Sequence, residues 1–224
     1  MTAEFRLSGI TLEQVVQRNW WVPVVMATAL DWSKVSANSS MVFLGCGAEA
    51  EELACMRFLL SETRRAGAIY GVDLLERSRL GDEIVALARS RTIKADYAAT
   101  PGSIMKQIRR PIGAIFMRNP NVTVQNPGYS VSVRRPELVD AAVQWAKIAR
   151  DFHTQFVVTT EHPETKELLS KALQAAGLNF RQTENRYFID HPTPSDRKAL
   201  VARPEIELAV RDNILPDQFV FVVA

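Results

Sequence analysis

The residues of this chain whose types and spacing suit chemistry begin at Gly45. The run Gly45-Cys46-Gly47-Ala48-Glu49-Ala50 follows a short apolar stretch, Met41-Val42-Phe43-Leu44, and precedes a stretch with helical periodicity. This is the G-x-G-x-x-G/A pattern in the context that gives it meaning, after a strand and before a helix. Glycine lets such a turn be tight and lets a ligand approach the backbone closely. The N–H groups that open the following helix have no partners of their own. Asp73 ends the next apolar stretch, 23 residues beyond Ala50. An acid there can accept hydrogen bonds from both hydroxyls of a ribose. The plainer readings are a simple tight turn for the glycines and a helix cap near Arg77 for Asp73.

Charge bears on which cofactor would fit. Glu49, Glu51 and Glu52 crowd the first turn of the helix, and no basic residue follows until Arg57. Acids at that end suit the helix dipole, by about 0.3–1 kcal/mol each. A pyrophosphate would set like charges together in a partly dry site, which costs energy. S-adenosylmethionine has no phosphate and brings a sulfonium and an ammonium, so the acidic turn favours it over a dinucleotide.

Three further places lie where a parallel sheet presents its carboxyl edge, the edge on which ligands sit. Asn119-Pro120 follows one apolar run, and the plain reading of such a dipeptide is a turn. The stretch from Val122 to Arg135 is long for an α/β connection, and long loops there are often functional; its Tyr129 is placed to cover a substrate. Glu161-His162 follows another apolar run. His162 can serve as a base, or it can simply enter the helix ahead of Pro163.

The elements that position these residues are legible as an alternation. Strands are expected at 41–44, 68–73, 92–95, 112–117 and 156–159. Helices are expected at 48–65, 77–90, 102–109, 136–152 and 163–176, the last stopped by Gly177. Residues 1–40 read as an N-terminal helical cap, with Pro23 interrupting between a first helix and a second from Val24 to Trp32. Trp20 and Trp21 fit a substrate lid or, more simply, packing on the sheet. The alternation breaks at the end: Leu178 to Ile189 reads as a strand, 191–217 is rich in proline and charge, and Phe219–Val223 reads as a last strand. The expected fold class is α/β: a doubly wound, mostly parallel seven-stranded sheet closed by an antiparallel C-terminal hairpin, all in one domain spanning 1–224.

These residues resemble the class I S-adenosylmethionine-dependent methyltransferases over roughly 40–190 plus the final strand. Val42 to Gly47 looks like that family's first motif and Gly71-Val72-Asp73 like its second-strand motif. Ala95-Asp96-Tyr97 looks like the segment after the third strand, and Phe116 to Pro120 like the motif after the fourth. The resemblance implies that Gly45, Cys46 and Gly47 pass under the cofactor, that Asp73 holds its ribose and that Leu74 lies against the adenine. It implies Asp96 and Tyr97 on the adenine edge and Asn119 facing the transferring methyl, with Tyr129 and His162 on the substrate side. Two positions depart from the family: Phe43 stands where it usually has an acid, and Glu49 stands for the third glycine.

Composition bounds the rest. Net charge is +2 and 47% of the 224 residues are hydrophobic, with a pI near 8.6. The paired arginines (64–65, 109–110, 134–135) read as solvated surface rather than a nucleic-acid stripe. A small-molecule acceptor is therefore the expected partner. Cys46 and Cys55 form no CxxC, and the three histidines lie far away in sequence, so neither metal site nor disulfide is expected. No leader or spanning segment is read, and a cytoplasmic protein is expected. Two rival readings stay open: a degenerate, non-catalytic cofactor or partner-binding protein, and an NAD-dependent oxidoreductase.

Overall fold

The computed structural model describes residues 9–19, 21–120, 135–184 and 219–223. Helix α1 (Leu12–Arg18) opens on a capping box, in which the Thr11 hydroxyl accepts from the Gln14 N–H and the Gln14 side chain accepts from the Thr11 N–H. Helix α2 (Trp21–Ala29) contains Pro23 instead of being interrupted by it. In the first turn a missing N–H removes no helical bond, so proline is tolerated there. A 3-10 turn, Trp32–Lys34, leads toward the sheet.

The alternation then runs β1 (Ser40–Leu44), α3 (Glu51–Glu62), β2 (Ile69–Asp73), α4 (Arg79–Leu87), β3 (Arg91–Lys94), α5 (Pro101–Met105) and β4 (Ile112–Met117). It continues with α6 (Leu138–Asp151), β5 (Gln155–Thr160), α7 (Pro163–Ala175), β6 (Phe180–Glu184) and β7 (Phe219–Val223). Helix α5 is shorter than the 102–109 expected. The expected strand from Leu178 is described as far as Glu184; its remainder, the stretch 191–217 and Tyr129 lie outside the described residues.

The strand order is β3-β2-β1-β4-β5-β7-β6. The first five strands are parallel, whereas β7 runs antiparallel to β5 on one side and to β6 on the other. Strands β1, β4, β5 and β7 are buried along their whole length, as expected of strands covered on both faces. On one face α6 packs Trp145, fully buried, with Val42, Leu44 and Phe156. On the other, α3 packs Leu53, Met56 and Leu60 with Phe43 and Phe116, and α2 adds Val22, Val25 and Met26. Chain direction across the sheet reverses between β1 and β4, so the topology points to the carboxyl ends of those strands as the place for a ligand.

Candidate active site

The turn after β1 needs left-handed backbone three times in six residues: Gly45 at φ +73°, Gly47 at +67° and Ala50 at +53°. The first two are glycines, for which this conformation carries no steric penalty. Ala50 is the N-cap of α3, so Glu49 lies in the turn and the helix begins at Glu51. The acidic first turn is therefore Glu51 and Glu52 alone. A methyl group on Gly47 would meet nothing within 4 Å, whereas one on Gly45 would lie 3.1 Å from the Tyr97 hydroxyl.

Asp73 closes this turn. Its Oδ2 accepts from the Gly47 N–H at 2.8 Å and its Oδ1 from the Leu75 N–H at 2.8 Å. Both oxygens are fixed and each keeps a lone pair for a ligand. Asp73 does not cap α4; that helix starts at Arg79, and the Ser78 hydroxyl caps it by accepting from the Gly81 N–H at 3.0 Å. The start of α4 braces the loop: Ser78 N–H donates to the Ala48 carbonyl at 3.0 Å. A Cβ on Gly81 would sit 2.0 Å from that same oxygen. An open cleft of about 410 Å³ runs from Cys46, Gly47 and Asp73 past Leu75 to Arg77 and Lys94. Beside Asp73, Leu74 leaves 46% of its surface exposed.

The Cys46 side chain is buried. Burial, together with the nearby Glu52 and Asp73 carboxylates, pushes its thiol well up and keeps it protonated. Tyr97 differs from the expectation that it lines the adenine edge. Its ring is 8% exposed and packs under Gly45, while its carbonyl accepts from the Trp145 indole N–H at 2.8 Å. Burial raises the phenol, so it stays neutral.

Asp96 accepts from the Ala98 N–H at 2.9 Å and from Arg135, which reaches both its oxygens at 3.1 and 3.0 Å. Burial alone would raise this carboxyl. The Ala98 N–H and the Arg135 guanidinium outweigh it and hold Asp96 below its ordinary value. Arg135 is one of the arginines taken from the sequence as solvated surface, and so is Arg65, which lies over the Trp32 ring.

On the next strand ends, Asn119 follows β4 with φ +43°. Its N–H is held by the Thr159 carbonyl at 3.1 Å and by the Thr159 hydroxyl oxygen at 3.2 Å. The Thr159 O–H in turn donates to Asn119 Oδ1 at 3.3 Å. His162 is the N-cap residue of α7, and its Nε2 lies 3.1 Å from Glu161 Oε1. That hydrogen bond raises the imidazole above its ordinary value against the opposing effect of burial. Among the described residues no cluster of three His, Cys, Asp or Glu side chains is arranged to hold a metal, and no helix is long and apolar enough to cross a membrane.

The structure thus brings Gly45, Cys46, Gly47, Asp73 and Tyr97 into one packed unit. Asp96, Asn119 and His162 stand at the ends of β3, β4 and β5. Thr159, Arg135 and a Glu52–Arg118 ion pair were not singled out from sequence.

No protein-family model matches the chain, and no curated protein matches it. Solved structures do. Fibrillarin from a fibrillarin/Nop5p complex superposes with a TM-score of 0.50 at 12% identity, over 93% of this chain and 82% of that one. The fold is the class I methyltransferase fold. Also similar are Aeropyrum pernix fibrillarin with natively bound S-adenosyl-L-methionine (TM-score 0.49, 16% identity, 94% and 76% covered) and the plantazolicin methyltransferase BpumL in complex with SAH (0.43, 10%, 93% and 84%). The class I methyltransferase fold accounts for the reversed last strand, whose antiparallel place between β5 and β6 the sequence resemblance implies.

Proposed function

We propose that this chain is an S-adenosylmethionine-dependent methyltransferase acting on a small-molecule acceptor. The observation that carries this reading is the Asp73 carboxylate, fixed by Gly47 and Leu75 N–H groups at the end of β2 beside an open turn. The donor set fits the cofactor: a carboxylate with lone pairs for two ribose hydroxyls, and a Gly47 whose missing side chain leaves room above the backbone. Gly45, Cys46 and Gly47 pass beneath the cofactor, Leu74 offers its exposed side chain to the adenine, and Asp96 accepts from the adenine amino group. Tyr97 supports the turn from below.

When bound, the cofactor supplies a methyl carbon already activated by a sulfonium. Holding and aiming the acceptor is then the protein's main contribution. Asn119 does this at the end of β4. Its Oδ1 is turned to Thr159, so it presents its amide N–H groups outward, and these orient an acceptor through a lone pair. His162 takes up a proton where the acceptor must shed one, which it does once neutral, above its raised pKa. Tyr129 covers the acceptor.

Calorimetric titration with S-adenosylhomocysteine, and with NAD in parallel, tests this. Micromolar binding of the former alone is expected, abolished in Asp73→Ala. Binding of NAD alone would replace the reading with an oxidoreductase. Cofactor binding without turnover on a broad acceptor panel would mark a non-catalytic protein.

A further inference from the structure

A cofactor whose ribose sits on Asp73 directs its 5′ end away from β2. The strand order fixes what comes next: β1 lies beside β2 and β4 beside β1. The family's acid for that end is absent. Phe43 stands in its place, 2% exposed and stacked on Phe116, with ring centroids 4.8 Å apart and planes 5° from parallel. On the far side of the turn stand two other charges. Glu52, in the first turn of α3, accepts from Arg118, the first residue after β4, at 2.9 Å between Oε1 and Nη1. Their side chains are only 15% and 24% exposed.

Taking two opposite charges partly out of water carries a desolvation cost that the pair does not always recover. That cost buys nothing obvious in a helix start already suited to acids. It is explained if the pair meets a ligand with both charges. Glu52 and Asp73 both bear on Cys46, so the two carboxylates flank the same turn from opposite sides. Among the described residues Glu52 Oε2 takes no hydrogen bond. An α-amino acid group carries one ammonium and one carboxylate, and a guanidinium fork matches a carboxylate in plane and spacing.

We propose that Glu52 and Arg118 bind the α-amino-acid end of the cofactor, Glu52 taking the ammonium and Arg118 the carboxylate, in place of the acid displaced by Phe43. The proposal rests on the cofactor reading above. Two ligands separate it from that reading: S-adenosylhomocysteine, which has the amino-acid end, and 5′-methylthioadenosine, which keeps the adenosine and the thioether and lacks it. By calorimetry, Glu52→Gln and Arg118→Met are each expected to weaken S-adenosylhomocysteine about tenfold or more, as loss of a charge-assisted contact should. Both should leave 5′-methylthioadenosine within about twofold of wild type. Asp73→Ala should lose both ligands. An unchanged affinity for S-adenosylhomocysteine, or equal losses for the two ligands, overturns the proposal while leaving the cofactor reading intact. Wild-type protein that binds neither ligand overturns both. Glu52→Asp and Arg118→Lys keep the charges with altered reach; they are expected to show the same selective loss, and they decide the matter if the neutral variants do not fold.

Discussion

Thr159 decides what Asn119 can offer. An asparagine amide has one end that accepts and one that donates, and the Thr159 hydroxyl claims the accepting end. Thr159→Val keeps the shape of this buried side chain and removes the hydroxyl. Turnover is expected to fall about tenfold, equivalent to one lost hydrogen bond, with S-adenosylhomocysteine affinity unchanged and activity restored in Thr159→Ser. A matched fall in both constants would count against a positioning role. His162 gives a pH dependence. Its folded pKa is raised by Glu161, so its contribution to stability is complete below the ordinary value near 6.5 and is lost as pH rises through the raised one. Thermal midpoints of wild type and Glu161→Gln should therefore diverge below neutrality and converge above it. Asp73 was legible from its place after an apolar run. Arg135 and Thr159 were not, because their partners lie 39 and 40 residues away and nothing in local spacing announces them.

At the scale of elements, the glycine turn is a joint between β1 and the starts of two helices. Gly81→Ala would force its Cβ against the Ala48 carbonyl at 2.0 Å, moving backbone against backbone. We expect it to destabilise the fold by about 1–3 kcal/mol, the range of an overpacked site, and to weaken cofactor binding, read by urea unfolding and calorimetry. Gly45→Ala meets a left-handed φ, roughly 1–2 kcal/mol for an L-residue, and the Tyr97 hydroxyl as well. Adding Tyr97→Phe should recover part of that loss; strict additivity would show that the contact contributes nothing. The turn was readable because glycine is the residue that left-handed backbone selects. Two local readings went astray at helix starts. Pro23 looks like a breaker until its first-turn place is known, and Glu49 looks helical until Ala50 is seen as the cap. Both errors are of one or two residues, where periodicity is silent.

For the whole molecule, the alternation of apolar runs and amphipathic helices carried the class of fold, and the final apolar run carried the reversed strand. What the sequence left open was where β7 inserts, since pairing between distant strands leaves no local trace. Strand β7 hydrogen-bonds on both sides, to β5 and to β6, and its five residues are all buried. Deleting 219–224 should abolish cooperative unfolding and the near-UV circular dichroism of the packed aromatics; retention of both would mean that β6 can pair with β5 directly. The insertion has a consequence for how the chain is made. Strand β6 is synthesised before β7 yet has no place in the sheet until β7 arrives. During elongation the edge of β5 stands open, an invitation to pair with another chain, and it is filled only when later residues fold back. A newly made molecule therefore passes through a stage with its two halves of sheet unjoined, and slow elongation between β6 and β7 would lengthen its exposure to aggregation.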